Sequence, residues 1–328
     1  MSIRPFAARD RTRTSVTLAR PLRRAALLTL LSAGLVTGCG LGAGATPGAV
    51  TLTVTRDFGA HQLRARHALL VRGQETVMSL LVRNYKVSTK YGGGFVQSVN
   101  GHAGGHVNGE PVDWFYYVNG VEAQEGAAET EVHRGDSVWW DLHDWSQTFY
   151  TPAVVGSFPE PFAHGIAGKR LPVRVECSEI ESDACKTVDS RLRALGVPAG
   201  LAGLGPAGEI PDTLRVAVAP WSSLRALLAV EPLARGPRTS GVYARVSADG
   251  GSIALLNERG QVSSTLGPGA GLIAALRPPN QEPLWVVTGT TSEGVERAAS
   301  AFNRSSLHNR FAVAIAPSGG VLALPQGG

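Results

Sequence analysis

Hydrophobic and polar positions alternate in short segments along the first half of the chain. "VTLTVTRDF" (50–58) and "HQLRARHALLV" (61–71) alternate in the manner of strands, and they can pair as an antiparallel hairpin. In "QETVMSLLVRNY" (74–85), Val77 and Leu80–Leu81 instead recur at helical spacing, with mostly polar residues on the opposite side. This pattern predicts one amphipathic helix after the hairpin.

Three further strands are predicted after the helix, each rich in valine and aromatic residues and bounded by Gly, Asn or Asp. They are "GFVQSVNG" (94–101), "VDWFYYVNG" (112–120) and "DSVWWDLHDW" (136–145). The order ββαβββ predicts a β-grasp-like domain, a mixed sheet over a single helix, because this arrangement buries the apolar stripe of the helix. The overall fold class is therefore α+β.

The second half shows almost continuously apolar strands that alternate with helices. This pattern is typical of a small α/β domain with a partly parallel sheet. The predicted strands are 171–177, 213–220, 241–248, 252–260, 271–278, 283–289 and 310–317, and the predicted helices are 182–197, 221–230 and 291–303.

Composition divides the chain into segments. Residues 1–38 contain seven arginines, all within the first 24 positions, and continue into the apolar run "AALLTLLSAGLVTG", as an export signal does. The Gly/Ala/Pro stretch 39–49 is too poor in large apolar residues to fold and predicts a flexible tether. Pro and Gly interrupt the periodicity in 151–170, which predicts a linker between a domain at 50–150 and an α/β domain at 171–328.

The signal segment ends in Leu35-Val36-Thr37-Gly38-Cys39, which resembles the lipobox of bacterial lipoproteins. That resemblance implies cleavage before Cys39 and its lipidation, so that the protein is anchored at the extracytoplasmic face of the cell membrane. Arg23-Arg24 leaves both the Sec and the twin-arginine export routes open.

Removal of the signal segment changes the electrostatic picture. The chain carries a net charge of +5, and residues 1–38 hold seven Arg and one Asp, so the remainder carries −1. No run of basic residues recurs downstream, which argues against nucleic acid as a partner.

Two cysteines, Cys177 and Cys185, remain after lipidation of Cys39. An even pair in an exported protein favours a structural disulfide. Two thiols with no nearby histidine would supply only half of a metal site, so no metal is expected there.

Four segments of the first half carry a resemblance to a known family: "TVMSLLVRNY", "GGFVQSVNG", "WFYYVNGVEAQEG" and "VHRGDSVWW". In this order and spacing they resemble a DUF4430-type domain, similar to the C-terminal β-domain of transcobalamin and intrinsic factor, over about residues 50–145. The resemblance implies a β-grasp-like fold and makes cobalamin or a related corrinoid the first ligand to test. The chain shows no counterpart of the helical domain with which those carriers hold cobalamin.

Aromatic residues are crowded into the same region. Of the 21 aromatic residues of the chain, nine lie between Trp114 and Tyr150, which is more than one small helix-on-sheet core can easily bury. Tyr and Trp also suit a partly hydrated binding site. The predicted ligand-binding residues are Trp114, Tyr116, Tyr117, Asn119, Trp139, Trp140, His143 and Trp145. Pairing of these rings across strands within the core is an equal alternative, and Asn119-Gly120 first indicates a hairpin turn.

Catalytic chemistry has little support in the sequence. No G-x-S-x-G, H-E-x-x-H or phosphate-binding G-x-x-x-x-G-K-S/T motif occurs. His102 and His106 lie in a Gly-rich stretch that predicts a loop rather than a metal site, although an imidazole there could reach a corrinoid cobalt or a haem iron. We therefore expect a non-catalytic binding protein with a small-molecule ligand and a transporter or cell-surface partner. The alternatives are an interaction module for a protein or cell-wall polymer and, third, an enzyme with its site in the α/β half.

Overall fold

The first half contains the predicted hairpin, helix and strands, together with several shorter strands. The computed structural model describes residues 48–205 and 210–327, so the predicted signal segment and lipidated Cys39 lie outside the described residues. The elements are β1 (Val50–Arg56), β2 (His61–Leu69), α1 (Val77–Asn84), β3 (Val87–Lys90), β4 (Phe95–Val99), β5 (His102–Ala103), β6 (Gly105–Val107), β7 (Glu110–Val118), β8 (Val121–Glu122) and β9 (Ser137–Asp144).

Most of these strands form one mixed sheet. Its order is β2-β1-β9-β7-β6, with β8 paired to β7. β1 runs antiparallel to β2 and parallel to β9, whereas β7 runs antiparallel to β9. The predicted strand at 94–101 does not join this sheet, because β4 pairs only with its short neighbours β3 and β5 in a separate three-stranded sheet.

Helix α1 covers one face of the mixed sheet. Thr76 caps its start, accepting a hydrogen bond from the Ser79 backbone N–H, while the Ser79 side chain accepts one from the Thr76 N–H. Val77, Leu80 and Leu81 are fully buried against the sheet, as their spacing predicts.

The second half follows the predicted alternation of strands and helices. Its strands are β10 (Val173–Cys177), β11 (Ala199–Gly203), β12 (Leu214–Pro220), β13 (Ala244–Val246), β14 (Ile253–Leu256), β15 (Val262–Leu266), β16 (Gly271–Leu276), β17 (Leu284–Gly289), β18 (Ala312–Ile315) and β19 (Val321–Leu324). Its helices are α2 (Asp183–Ala194), α3 (Trp221–Leu224), α4 (Glu231–Arg235), α5 (Pro237–Ser240), α6 (Ser292–Ala301) and α7 (Arg304–Leu307).

A seven-stranded sheet of order β11-β10-β12-β17-β16-β18-β19 organises this half. The first four strands in that order are parallel to one another and the three remaining pairings are antiparallel, so the predicted partly parallel sheet is present. Strands β13, β14 and β15 form a separate small antiparallel sheet. Mixed sheets with few helices agree with the predicted α+β class.

The predicted disulfide is present and closes a short loop between β10 and α2. Cys177 and Cys185 are bonded with their Cα atoms 6.1 Å apart. Ser182 caps α2 by accepting a hydrogen bond from the Cys185 N–H, so cap and disulfide together fix the start of this helix.

The two faces of the seven-stranded sheet are both buried. Val188 of α2 and Ala298 of α6 lie in the core on one face. On the other face, Leu272 and Ala314 share a core with Tyr117 and Trp139 of the first half. The mixed sheet of the first half is therefore covered by α1 on one side and by the second half on the other.

The segment 151–170, predicted as a linker, contributes to these cores. Val154, Val155, Phe158 and Phe162 are buried, and the Val155 N–H donates to the Phe311 carbonyl. The described residues, 48–205 and 210–327, belong to one compact unit. The segment therefore connects the two halves through packed side chains as well as through its backbone. The domain boundaries themselves stay a prediction.

Candidate functional site

The predicted aromatic surface lies inside the protein. Six of its eight residues are at most 6% exposed: Trp114, Tyr117, Asn119, Trp139, Trp140 and His143. The large number of aromatic residues in this region has a physical explanation that the sequence did not reveal. Strands β7 and β9 lie between two cores, so the rings on both of their faces are buried. The exposure on which their predicted binding role rested is absent, and the role itself stays a prediction.

One set of rings faces the second half. Tyr117 and Trp139 are directly paired across β7 and β9, and both rings contact Phe311. The Trp139 indole Nε1–H donates to Thr55 Oγ1 at 2.7 Å. These contacts satisfy the indole and leave its ring no open face toward solvent, since only 1% of Trp139 is exposed.

His143 belongs to a buried polar cluster on this same face. Its ring lies between Phe58 and Phe115, with both centroids 4.5 Å away, and its Nδ1 is 2.9 Å from Asp141 Oδ2. Asp141, fully buried, also accepts from the Thr55 hydroxyl and from the backbone N–H groups of residues 58 and 59 at 3.0 and 2.9 Å. An Asp-His pair held in this way orients the β1–β2 turn.

The other set of rings faces α1. Trp114 donates from Nε1 to the His102 carbonyl at 3.2 Å, and Trp140 packs on Tyr116 with centroids 4.9 Å apart. Tyr116 is only partly buried, and its hydroxyl donates to the Glu125 carbonyl at 2.6 Å.

Asn119 has the predicted turn role. Its φ is +54°, and its side chain donates to Asp136 Oδ1 and to the Gly165 carbonyl, both at 2.8 Å, while accepting from the Ser137 N–H. Trp145 is half-buried and donates to Asp113 Oδ2 at 3.0 Å. It is the one indole of the predicted set that reaches the surface.

A cleft that sequence analysis did not predict lies beside Tyr116. It has a volume of about 580 Å³, and we call it the acidic cleft. Its lining includes Glu122, Glu125, Glu129, Glu131, His133 and Arg277, with apolar walls from Val118, Val121, Ile166 and Ala167. An apolar pocket with a few polar groups is the usual form of a small-molecule site.

Glu122 forms the buried part of the acidic cleft. It is 8% exposed, and its Oε2 accepts from the Thr151 backbone N–H at 2.6 Å. Burial raises the pKa of Glu122 to about 8, and the Thr151 hydrogen bond only partly offsets this effect. At neutral pH the carboxyl is therefore mostly protonated, so it both donates and accepts hydrogen bonds.

The rim of the acidic cleft has the opposite character. Glu125, Glu129 and Glu131 are exposed, and Glu131 approaches His133 with 3.9 Å between Oε2 and Nε2. The cleft thus combines a neutral acid in its interior with a negatively charged entrance. This arrangement suits a ligand with an apolar body and cationic or amide groups.

A network of titratable groups adjoins the acidic cleft. Asp136 is 2% exposed and accepts from the His133 backbone N–H at 2.7 Å, and the His133 Nδ1 lies 3.7 Å from the same carboxylate. Burial raises the pKa of Asp136 and also that of Glu160, which accepts from both the backbone N–H and Nδ1 of His164. Perturbed carboxyls beside a cleft are characteristic of functional sites.

The sequence did contain a signal for the acidic cleft. Four glutamates and a histidine fall within "VEAQEGAAETEVH" (121–133), a segment that shows no periodicity. The 123–131 segment is held against the start of α1, since the N–H groups of Val77 and Met78 donate to the carbonyls of Thr130 and Ala127. This docking brings the glutamates to one side of β7 and β8.

The structure places His102 and His106 on two short strands at the surface. The predicted loop contains the short strands β5 and β6, which belong to different sheets, and both histidines are exposed. Within residues 48–205 and 210–327, no cluster of three or more His, Cys, Asp or Glu side chains is arranged to hold a metal ion. No helix in those ranges is both long and apolar enough to span a bilayer.

Comparison with known proteins supports part of the family resemblance. A model described as "Domain of unknown function (DUF4430)" matches residues 74–144. A solved structure, described as a "putative metal binding protein" from Ruminococcus gnavus ATCC 29149, is 16% identical, with 29% of this chain and 96% of that chain covered and a TM-score of 0.24. No curated protein matches the sequence. The chain therefore contains a DUF4430-type segment, and the likeness to the solved structure carries no argument about its ligand.

Proposed function

We propose that this protein is a non-catalytic, extracytoplasmic ligand-binding lipoprotein that holds a small molecule in the acidic cleft. Glu122 supports the proposal most directly, because a carboxyl with a pKa of about 8 lies inside a cleft of about 580 Å³ with apolar walls. The predicted lipobox at Cys39 supports anchoring at the outer face of the membrane, where a transporter or another cell-surface protein would be the partner.

We further infer that residues 50–145 form a β-grasp-like module. Helix α1 packs across one face of a mixed sheet in which the first strand lies parallel to the last, β1 beside β9. This topology supports the resemblance to the C-terminal β-domain of transcobalamin and intrinsic factor. A corrinoid is the first ligand to test in the acidic cleft, since its apolar ring edge and carboxamide groups match the apolar walls and the carboxyl groups.

Titration with cyanocobalamin tests this proposal. Residues 43–328, whose described part forms one compact unit, would be titrated while Trp fluorescence and the corrinoid absorption spectrum are followed. Trp140 contacts Tyr116, whose hydroxyl binds the wall of the cleft, so occupancy should change the fluorescence. Glu122→Leu should weaken binding about tenfold or more, because it removes a buried hydrogen-bonding group.

Matched variants separate the cleft from general charge effects. Glu122→Gln keeps a neutral hydrogen-bonding side chain and should retain most of the affinity at neutral pH. Glu181→Gln removes an exposed carboxylate that does not line the cleft, and it should leave binding unchanged. Loss of affinity in Glu181→Gln equal to that in Glu122→Leu would contradict a site in the acidic cleft, and absence of any response would exclude the corrinoid.

A second candidate function rests on exposed aromatic residues at the end of the first half. Phe149 and Tyr150 are 69% and 40% exposed, and the half-buried Trp145 packs edge-on against Phe149. This patch suits stacking on a sugar or on a partner protein, and therefore an interaction module for a cell-wall polymer. Sedimentation with purified cell walls, compared between the unchanged protein and Phe149→Ser, tests this alternative.

A further inference from the structure

A basic groove lies between β2 and β3, on the α1 side of the mixed sheet. It has a volume of about 720 Å³, and we call it the basic groove. Its eleven lining residues include Arg64, Arg66, Tyr85, Lys86, Ser98 and Asn100. Three of these side chains are cationic and none is acidic.

The position of the arginines follows from the strand register. Arg66 lies opposite Leu52 and Arg64 lies opposite Val54 in the β1–β2 pair. Leu52 and Val54 face the α1 core, so the paired arginines point to the same side. Since β2 is the edge strand, their guanidinium groups extend past the core toward Tyr85.

The cationic groups of the basic groove lack counterions. Within the described ranges, Arg64, Arg66 and Lys86 form no ion pair, whereas the nearby Arg83 is bound to Glu75 at 2.7 Å. Clustered cations repel one another unless an anion lies between them. The mutual repulsion therefore favours occupation by a negatively charged group.

A buried polar group at the groove is also unsatisfied. Tyr85 is 9% exposed, and its hydroxyl donates to no acceptor among the described residues. Burial raises the pKa of this phenol, and the charges of Arg66 and Arg64, together with a side-chain hydrogen bond from Arg66, partly offset the increase. A buried donor of this kind is costly to leave unpaired.

Neutral donors complete the lining of the basic groove. The Ser88 and Ser98 hydroxyls lie 2.6 Å apart and form a hydrogen bond, so one of them retains a free donor direction. Asn100 uses its Oδ1 to accept from the Lys86 backbone N–H at 3.0 Å, so its amide donors are directed elsewhere. Guanidinium, ammonium, hydroxyl and amide donors around one groove are the groups that bind phosphate.

We propose that the basic groove is a second binding site, separate from the acidic cleft, and that it binds a phosphate group through Arg64, Arg66 and Lys86, with the Tyr85 hydroxyl as a neutral donor. Two sources could present this chemistry, a free phosphorylated small molecule and the headgroup of an anionic phospholipid. Leu52, opposite Arg66, lies two residues after the first residue of β1, so the groove is close to the end of the predicted tether.

Isothermal titration of residues 43–328 with inorganic phosphate and with glycerol 1-phosphate tests the site. Arg66→Gln and Lys86→Gln should each weaken phosphate affinity about tenfold, because each removes a charge-assisted hydrogen bond. Lys90→Gln is the matched control, since Lys90 is an exposed cation on β3 that does not line the groove. All three side chains are at the surface, and thermal unfolding would establish that the variants remain folded.

Tyr85→Phe supplies a subtler variant that removes only one hydroxyl. It should weaken phosphate binding several-fold and leave cyanocobalamin titrations unchanged, which distinguishes this site from the acidic cleft.

Flotation with phosphatidylcholine vesicles, with and without phosphatidylglycerol, separates the two phosphate sources. If the protein binds the anionic vesicles and Arg66→Gln abolishes this binding, the ligand is a lipid headgroup. If the protein binds soluble phosphate but not the vesicles, the ligand is a free phosphorylated molecule. No binding of either, or equal loss in Lys90→Gln, would overturn the proposal.

Discussion

Phe311 packs edge-on against Trp139, with ring centroids 5.3 Å apart and ring planes at 77°. The two residues are far apart in sequence and come from the two halves of the chain. Phe311 also contacts Phe58, Tyr117 and His143, all of them in the first half. This one phenyl ring therefore helps to bury Tyr117, Trp139 and His143, three of the residues that the sequence predicted to form a binding surface.

Replacement of Phe311 by alanine should lower the free energy of unfolding by about 3 to 5 kcal/mol, because a large ring leaves a cavity among four other rings. Urea unfolding followed by Trp fluorescence measures the change. Phe149→Ala is the control, since Phe149 is 69% exposed and should cost little. An equal effect of the two substitutions would contradict the packing described for Phe311.

Glu122 should make stability fall as the pH rises. Its folded-state pKa of about 8 lies above the ordinary value of 4.5, so the folded protein binds this proton more tightly than the unfolded chain does. The resulting stability is fully present below about pH 4.5 and is lost as the pH rises toward 8. Glu122→Gln mimics the protonated form and should gain stability relative to the unchanged protein between these pH values, by an amount on the order of a few kcal/mol. Thermal unfolding of both proteins from pH 5 to pH 9 checks the sign, and a constant difference would contradict the raised pKa.

Arg215 and Glu176 form a buried ion pair in the seven-stranded sheet. Arg215 donates to both carboxylate oxygens at 2.9 and 2.7 Å, and the two residues are 5% and 1% exposed. Arg215→Leu should cost about 3 to 5 kcal/mol because it leaves Glu176 charged and buried without its main partner. The double variant Glu176→Leu/Arg215→Leu should recover much of that loss. A double variant as unstable as the single one would show that packing, and not the unpaired charge, causes the loss.

The disulfide should contribute stability through the short loop that it closes. Cys177 and Cys185 are eight residues apart, and loop closure of that size corresponds to about 2 to 3 kcal/mol. Cys177→Ala/Cys185→Ala should lower the free energy of unfolding by this amount, as measured by urea denaturation. Dithiothreitol should reduce the stability of the unchanged protein and leave the double variant unaffected.

Most helices and strands could be predicted because local periodicity reports which face of each segment is buried. Val77 and Leu80–Leu81 identified α1, and the continuous apolar runs identified β16 and β17. Strands such as β11, "AGLAG", were missed because small residues carry little periodic signal. The prediction that the 94–101 strand joins the mixed sheet was wrong, because periodicity does not determine which strands are neighbours.

The candidate site was harder to predict than the fold. Alternation along β7 places Tyr116 and Tyr117 on opposite faces, but the covering of the Tyr117 face by residues such as Phe311 involves contacts remote in sequence. Glu122 carried no local sign of its raised pKa, since burial in the folded protein causes the rise and the hydrogen bond from the Thr151 N–H, remote in sequence, only partly offsets it. Tertiary contacts, and not composition, determine both features.

The shared core has a consequence for the DUF4430-type module wherever it occurs alone. Here Tyr117 and Trp139 are shielded from water only because another part of the same chain covers them. A freestanding relative would need hydrophilic replacements at these two positions, or a separate subunit to dock there. The residue types at these two places in other sequences should therefore reveal whether the module evolved as an independent unit or as half of a larger fold.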